Sequence, residues 1–136
     1  MYHVYLSLGT NLGNRKRNIR EAIEKIEEQI GKVERQSALY ETKPWGFSSP
    51  NDFINACVYV VTEKAPRQLL EATQLIEREM GRTLKSVDRE YHDRIIDIDI
   101  LMIDDLRIDE PDLKVPHPLM QERDFVMKPL KEIYAD

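Results

Sequence analysis

R-I-I-D-I-D-I-L-M-I, from Arg94 to Ile103, is a run of β-branched and long aliphatic residues bounded by charged and polar sequence. Such a run is typical of a strand that is buried on at least one face. Side chains alternate in direction along a strand, so Asp97 and Asp99 are expected to share one face. The other face would carry Ile96, Ile98, Ile100 and Met102. We predict that this second face belongs to the core.

The two aspartates raise an electrostatic question. Residues i and i+2 of a strand lie about 6 to 7 Å apart, where two carboxylates repel by about 2 to 3 kcal/mol at an effective dielectric near 20. A divalent, oxygen-seeking ion between them, with Arg94 nearby for a phosphate, would remove this repulsion. The plain alternative is that both carboxylates face water.

Length and composition favour one folded domain, residues 1–136. The 136 residues are 41% hydrophobic and 33% charged, without a linker or low-complexity tract. The net charge of −5 argues against a general nucleic-acid or anionic-membrane partner, and no signal peptide or membrane span is evident. The lone cysteine, Cys57, excludes an internal disulfide and a cysteine zinc cluster, and is expected in the core. We therefore expect a cytoplasmic protein. A monomer is expected as well, although the sequence does not give the oligomeric state.

The first half of the chain reads as strand, helix, strand, strand. Alternating apolar residues predict a strand over 2–8, with a tight connection at 9–14. Isoleucines at spacings of four and three predict an amphipathic helix over 15–30, which Gly31 ends. Further strands are predicted over 33–42 and 53–62, joined by a loop from Lys43 to Asp52 with two prolines. Asn55 is unusual inside a strand and needs a hydrogen-bond partner or a ligand.

The second half supplies another helix and the aspartate strand. Pro66 suits the start of a helix whose inner stripe ends at Met80, before Gly81. Gln74 and Glu77 share a face of it and are suited to the edge of a site, although each alone resembles an ordinary surface residue. A polar segment over 82–93, a short returning strand within 104–109, a rigid V-P-H-P and a short apolar pattern over 129–134 complete the chain.

The element order βαββαβ with a short C-terminal extension predicts a fold of the α+β class. This is the ferredoxin-like sandwich, an antiparallel sheet with two helices packed on one side. His117 stands between two prolines, which would hold its imidazole at a set distance from an anion, although a lone histidine is more often structural. The fold by itself does not determine the function.

Six short motifs occur in order along the chain. They are G-T-N from Gly9, Y-x-T-x-P-W-G from Tyr40, F-I-N-A from Phe53, R-x-x-D-x-D-I-L from Arg94, V-P-H-P from Val115 and R-D-F from Arg123. Together they resemble the hydroxymethyldihydropterin pyrophosphokinase family of folate biosynthesis. The resemblance implies a ferredoxin-like fold, two magnesium ions, and transfer of pyrophosphate from ATP to 6-hydroxymethyl-7,8-dihydropterin, with AMP as the second product.

The resemblance also implies roles for particular residues. Asp97 and Asp99 would bind both magnesium ions and, with Arg82 and Arg94, would form the catalytic set. The implied ATP-binding residues are Gln74, Glu77, Arg82, Arg94, Ile100, His117 and Arg123. The implied pterin-binding residues are Thr42, Lys43, Pro44, Trp45, Phe53, Asn55 and Phe125, whose aromatic members would enclose the flat ring. The segment over 83–93 departs from the family pattern, so the phosphate contact there is open between Lys85 and Arg89.

Two other classes of protein remain open on the residues alone. A different metal enzyme, such as a nucleotidyl transferase or phosphohydrolase, would act on nucleotides without a pterin and would leave the aromatic residues unused. A non-catalytic ligand-sensing module would need no metal and would leave the paired aspartates unexplained. No glycine-rich phosphate loop with a lysine is present, which excludes a kinase of that type by motif.

Overall fold

Local sequence signals fix the two long helices of the computed structural model, which describes residues 1–43, 51–81 and 95–134. Asn14 caps the first helix, because its side chain accepts a hydrogen bond from the backbone N–H of Arg17 at 3.2 Å. Pro66 begins the second, and Gly81 follows it with a positive φ of 98°. The helices are α1 Arg15–Gln29, α2 Pro66–Glu79 and α3 Asp124–Ile133, and a 3₁₀ turn covers Met120–Glu122.

The described residues also form seven strands. They are β1 Tyr2–Thr10, β2 Gly31–Gln36, β3 Tyr40–Thr42, β4 Phe53–Thr62, β5 Asp97–Ile103, β6 Ile108–Glu110 and β7 Leu113–Val115. The main sheet has the order β2-β4-β1-β5, with β3 also paired to β4, and each of these pairs is antiparallel. The last two strands form a separate hairpin. The ferredoxin-like prediction is confirmed.

One face of the sheet forms the main core with α1 and α2. The strands contribute alternate residues such as Leu6 and Val58, both fully buried, and the helices contribute Ile26 and Ile76. These residues follow the periods of two and 3.6 that the sequence displays. Complete burial of such a side chain contributes about 1.5 to 3 kcal/mol.

The other face carries a second core under α3. Val126, Leu130 and Ile133 of this helix pack with Tyr5 and Cys57 of the sheet. For residues 129–134 the sequence predicts only a short apolar pattern. A proline inside a helix is unfavourable, and Pro129 lies inside α3. The buried apolar face of α3 outweighs that cost, so helices cover both faces and not one alone. Cys57 is in the core as predicted.

Strand boundaries differ from the predictions at three places. The strand predicted over 33–42 is divided, because Ser37 to Leu39 lie between β2 and β3. β1 continues through Gly9 and Thr10, which pair with β4 where a connection was predicted. The returning strand predicted within 104–109 is β6, which covers Ile108–Glu110 and pairs with β7.

A β-bulge corrects the face assigned to Met102. Between Tyr5 and Leu6 of β1 the partner strand advances from Met102 to Ile100, so Leu101 is an extra residue. A bulge reverses the alternation beyond it. Ile103 therefore joins Ile98 and Ile100 in the main core, while Met102 packs against the core under α3. Within the three described ranges, no helix has both the length and the apolar character needed to cross a membrane.

Candidate functional site

The two aspartates lie side by side at one end of β5. Both are half-buried, and Ile98 between them is only 6% exposed and belongs to the main core. Pairing with β1 puts Asp97 opposite Gly9 and Asp99 opposite Ser7. The carboxylates share the face of the sheet that carries α3, as the alternation of side chains predicts.

Glu77 of α2 contacts the backbone between the aspartates. Its Oε2 accepts a hydrogen bond from the N–H of Ile98 at 2.8 Å, and the residue is 7% exposed. Within the described residues, β5 is an edge strand of the main sheet. The carboxylate of Glu77 therefore binds a backbone N–H on this edge strand. The interpretation as an ordinary surface residue is therefore wrong for Glu77, whereas Gln74, one turn earlier, is exposed.

The aspartate pair suits a hard divalent cation. Carboxylate oxygens are the ligands that Mg²⁺ prefers, and this ion usually keeps several waters and binds substrate phosphates. Over the described ranges, no group of three or more His, Cys, Asp or Glu side chains is arranged to hold a metal ion. An ion at Asp97 and Asp99 would then complete its coordination with water or phosphate oxygens.

A glycine separates the aspartates from the predicted pterin residues. Gly9 pairs with Asp97 on one side and with Asn55 of β4 on the other, so the three residues form one row across the sheet. A Cβ at Gly9 would lie 3.1 Å from Oδ1 of Asn55 and 3.6 Å from Cδ1 of Phe53. Because glycine has no side chain, Asn55 and Phe53 can approach this point of β1 closely.

The predicted pterin residues Thr42, Phe53 and Asn55 come together across β3 and β4. Thr42 pairs with Phe53, and its Oγ1 accepts a hydrogen bond of 2.6 Å from Nδ2 of Asn55. Asn55 is 2% exposed, so a buried amide with a defined partner explains the unusual asparagine in the strand. This bond directs Oδ1 of Asn55 toward Gly9.

Arg123 and Phe125 lie at the start of α3, on the same side of the sheet. The guanidinium carbon of Arg123 is 5.6 Å from the centre of the Phe125 ring, within the range of a cation–π contact. Arg123 is only 6% exposed, and Phe125 is half-buried. The contact joins one predicted ATP residue to one predicted pterin residue.

His117 is held by its own backbone and by Leu119. The backbone N–H of His117 donates to the carbonyl of Leu101 at 2.9 Å. The ring Nδ1 of His117 accepts a hydrogen bond from the backbone N–H of Leu119 at 3.3 Å. Burial lowers the pKa of His117 below 6.5, and the charge of Arg123 lowers it further, while Asp97 acts in the opposite direction. The neutral imidazole then carries its proton on Nε2.

A cavity of about 480 Å³ connects His117 with the aspartate strand. This volume is within the range of small-molecule sites. The lining includes Leu70, Asp99, Ile100, Leu113, Lys114 and His117. Two of these were missed as site residues: Leu70 follows the ordinary core pattern of α2, and Leu113 reaches the cavity through the β6–β7 hairpin. The described lining does not include Gln74.

Several predicted site residues lie outside the described residues. They are Pro44, Trp45, Arg82 and Arg94, together with the alternatives Lys85 and Arg89. Lys43 is described and exposed.

The chain matches a known family over nearly its whole length. The family model described as 7,8-dihydro-6-hydroxymethylpterin-pyrophosphokinase matches residues 5–135. A 2-amino-4-hydroxy-6-hydroxymethyldihydropteridine pyrophosphokinase of Porphyromonas gingivalis is 48% identical over 131 residues, covering 96% of this chain and 89% of the relative. The enzyme of the same name from Aquifex aeolicus is 42% identical over 133 residues, covering 98% and 81% of the two chains.

Solved structures agree on the fold. A structure of HPPK-DHPS in complex with substrates matches with a TM-score of 0.77 and 16% identity. The match covers 97% of this chain and 40% of the solved chain, so this chain corresponds to less than half of that protein. A Plasmodium falciparum HPPK-DHPS structure gives a TM-score of 0.76 at 19% identity, covering 97% of this chain and 41% of the other.

Proposed function

The chain belongs to the 7,8-dihydro-6-hydroxymethylpterin-pyrophosphokinase family, and from this premise we propose which of its residues carry the reaction. It is an ATP-dependent diphosphokinase of folate biosynthesis that transfers pyrophosphate from ATP to 6-hydroxymethyl-7,8-dihydropterin. ATP is the co-substrate, and AMP and the pterin diphosphate are the products. The match over residues 5–135 carries this conclusion.

The chemistry defines what the protein must do. The hydroxymethyl oxygen of the pterin attacks the β-phosphorus of ATP, the bond from that phosphorus to the oxygen bridging it to the α-phosphorus breaks, and the hydroxyl proton is lost. Phosphoryl transfer of this kind depends mainly on alignment and charge stabilisation. The protein must therefore hold two substrates end to end over a cation-binding pair.

We infer that Asp97 and Asp99 hold two Mg²⁺ ions. Their position on one face of β5 and their oxygen donors support this assignment. When bound, the ions would neutralise the phosphate oxygens and polarise the acceptor hydroxyl. The hydrogen bond from Ile98 to Glu77 would hold the strand between these ligands.

We propose that the nucleotide occupies the cavity bounded by Ile100 and His117. Asp99 lines the same cavity, so a nucleotide there would direct its phosphates toward the metal ligands. Neutral His117 would donate from Nε2 to a phosphate or ribose oxygen, since its Nδ1 already accepts a hydrogen bond. The other residues proposed on this side are Gln74, Glu77, Arg82, Arg94 and Arg123, with Glu77 acting through the strand.

The pterin is proposed to lie over Gly9, between Asn55 and the aspartates. The amide of Asn55 would read the polar edge of the ring, and Phe53 and Phe125 would contact its faces. The row Asp97, Gly9, Asn55 supports this arrangement, because only a glycine lies between the amide and the proposed metal ligand across the sheet. Thr42, Lys43, Pro44 and Trp45 complete the proposed pterin set.

Three further expectations stay predictions. They are a single pyrophosphokinase domain over residues 1–136, a monomeric state and a cytoplasmic location. Sedimentation of the full chain with and without substrates would test the monomeric state.

The deciding experiment measures AMP from ATP and magnesium, with and without 6-hydroxymethyl-7,8-dihydropterin. We expect AMP only when the pterin is present, and none from Asp97→Ala. Asp105→Ala, which removes an exposed carboxylate beyond the same strand, is the matched control and should keep activity. Cleavage of ATP regardless of pterin would instead favour a phosphohydrolase.

A further inference from the structure

Arg15, the first residue of α1, connects three parts of the chain. Its Nη1 donates to the backbone carbonyl of Asp52 at 2.9 Å, and its Nη2 lies 3.4 Å from Oε2 of Glu41. Its side chain is 31% exposed, so part of the guanidinium is shielded from water. Neither the family motifs quoted above nor the proposed reaction uses this residue.

The two contacts of Arg15 fall immediately before two proposed pterin residues. Glu41 precedes Thr42, and Asp52 precedes Phe53. Thr42 and Phe53 pair with each other across β3 and β4. Arg15 therefore fixes both strands of this hairpin at the level where they present the proposed pterin contacts.

The neighbouring contacts hold the same end of the hairpin. Nδ2 of Asn11 donates to the carbonyl of Asn51 at 3.2 Å, next to the carbonyl that Arg15 binds. Thr42 in turn accepts the hydrogen bond from Asn55. A displacement of β3 relative to α1 would therefore move the acceptor that orients the buried amide.

A guanidinium is suited to this task because its N–H groups form a rigid fork that can serve two acceptors at once. A lysine would keep the charge but offers a single nitrogen. Since Glu41 is 60% exposed in its side chain, the ion pair itself contributes little, and the hydrogen bond to the Asp52 carbonyl is the more important contact.

We infer that Arg15 is a positioning residue for the pterin: it fastens the β3–β4 hairpin to the start of α1 and so sets the placement of Thr42, Phe53 and Asn55. This inference rests on the proposed function of those residues. It assigns Arg15 no contact with substrate and no part in the chemical step. Pterin affinity should therefore depend on Arg15, and nucleotide affinity should not.

The test compares Arg15→Gln, Arg15→Lys and the matched control Arg20→Gln, which removes an exposed arginine from the same helix. Binding of 6-hydroxymethylpterin is measured by its fluorescence at saturating magnesium and a non-hydrolysable ATP analogue, and binding of the analogue is measured alone. For Arg15→Gln we expect a pterin Kd about three- to tenfold higher, the loss of roughly one hydrogen bond. Arg15→Lys should lie between Arg15→Gln and the wild type.

The KM of the pterin should rise with its Kd in Arg15→Gln. Because Arg15 has no assigned part in the chemical step or in nucleotide binding, kcat and the Kd of the nucleotide analogue should change less than about twofold. Equal pterin Kd values for Arg15→Gln and Arg20→Gln would overturn the inference. Equal losses of pterin and nucleotide affinity would also overturn it, because they would indicate a general structural role. If the wild-type chain binds no pterin, the proposed function itself fails.

Discussion

The Oε2 of Glu77 and the backbone N–H of Ile98 form a hydrogen bond of 2.8 Å, which fastens helix α2 to the strand between Asp97 and Asp99. The bond is buried, and its acceptor is a carboxylate oxygen of a residue that is only 7% exposed. It links the main core to the proposed metal site, because Ile98 points into that core while its neighbours face the site.

Replacing Glu77 with alanine should lower both stability and metal affinity. A buried donor that loses its acceptor costs about 1 to 3 kcal/mol, so Glu77→Ala should lower the free energy of unfolding by about that amount. The Mg²⁺ concentration for half-maximal AMP formation should rise, because β5 loses an edge contact. Urea unfolding and a magnesium titration measure the two effects.

Two variants control the Glu77 experiment. Glu77→Gln keeps an oxygen acceptor and should lower the free energy of unfolding less than Glu77→Ala does. Glu71→Ala removes an exposed glutamate from the same helix and should leave both quantities near the wild-type values. A Glu77→Ala protein as stable as Glu71→Ala would contradict the role assigned to this bond.

Gly9→Ala should weaken pterin binding without unfolding the protein. The new methyl would lie 3.1 Å from Oδ1 of Asn55, which is closer than most such contacts, so the amide or the methyl must shift. Alanine for glycine in a strand is otherwise favourable by about 0.5 to 1 kcal/mol. We expect the pterin Kd of Gly9→Ala to be at least about tenfold higher than that of the wild type, which corresponds to about 1.4 kcal/mol of binding free energy. The thermal stability should be unchanged or higher.

The affinity of Gly9→Ala for the nucleotide analogue provides the internal control. The cavity proposed for ATP has no Gly9 among its described lining, so the analogue should bind as to the wild type. Pterin binding that survives the substitution would show that the ring does not lie over this glycine.

Arg67→Gln should weaken nucleotide binding in a salt-dependent way. Arg67 of α2 donates from Nη1 to Oδ2 of Asp112 at 2.8 Å and also pairs with Glu110, which joins α2 to the β6–β7 hairpin. That hairpin forms one wall of the cavity. Exposed ion pairs contribute little, so the Kd of the ATP analogue should rise only about two- to fivefold at low salt.

High salt should reduce the difference between Arg67→Gln and the wild type, since salt screens exposed charges. Arg20→Gln, which lacks a role at the hairpin, should behave as the wild type at every salt concentration. A salt-independent effect of Arg67→Gln would indicate lost packing of its side chain and not a lost ion pair.

Regular periodicity made most of the fold predictable from the sequence. The isoleucines of α1 and the alternation in β1 and β4 specify a buried face directly, and the strand predicted over 53–62 has the observed bounds. The bulge at Leu101 was not predictable, because it depends on the register with β1. Helix α3 was missed because Pro129 is unfavourable locally and is tolerated only through burial against the sheet.

The candidate site was predictable where a residue is unusual for its element. Asp97, Asp99 and Asn55 are polar residues inside apolar strands, and each lies on the proposed site face. Leu113 and Leu70 gave no such signal, since an apolar residue beside a cavity reads the same as one in a core. Local sequence alone could not show how Glu77 and Arg15 act, because the N–H of Ile98 and the carbonyl of Asp52 that they bind are backbone groups distant in sequence.

His117 should make the stability of the folded protein depend on pH. Burial and Arg123 lower the pKa of this imidazole below 6.5, and Asp97 partly opposes them. Below pH 6.5 the unfolded chain therefore takes up a proton more readily than the folded chain, so the folded state loses stability as the pH falls through the lowered pKa. Relative to His117→Gln, the wild type should lose free energy of unfolding between about pH 7 and pH 5. NMR titration of the imidazole tests the cause directly: Arg123→Gln should raise its pKa, Asp97→Asn should lower it, and the ATP analogue should raise it by bringing negative phosphates near. An imidazole that titrates at or above 6.5 in the free protein would contradict the environment described here, and one that ignores the nucleotide would remove His117 from the proposed ATP site.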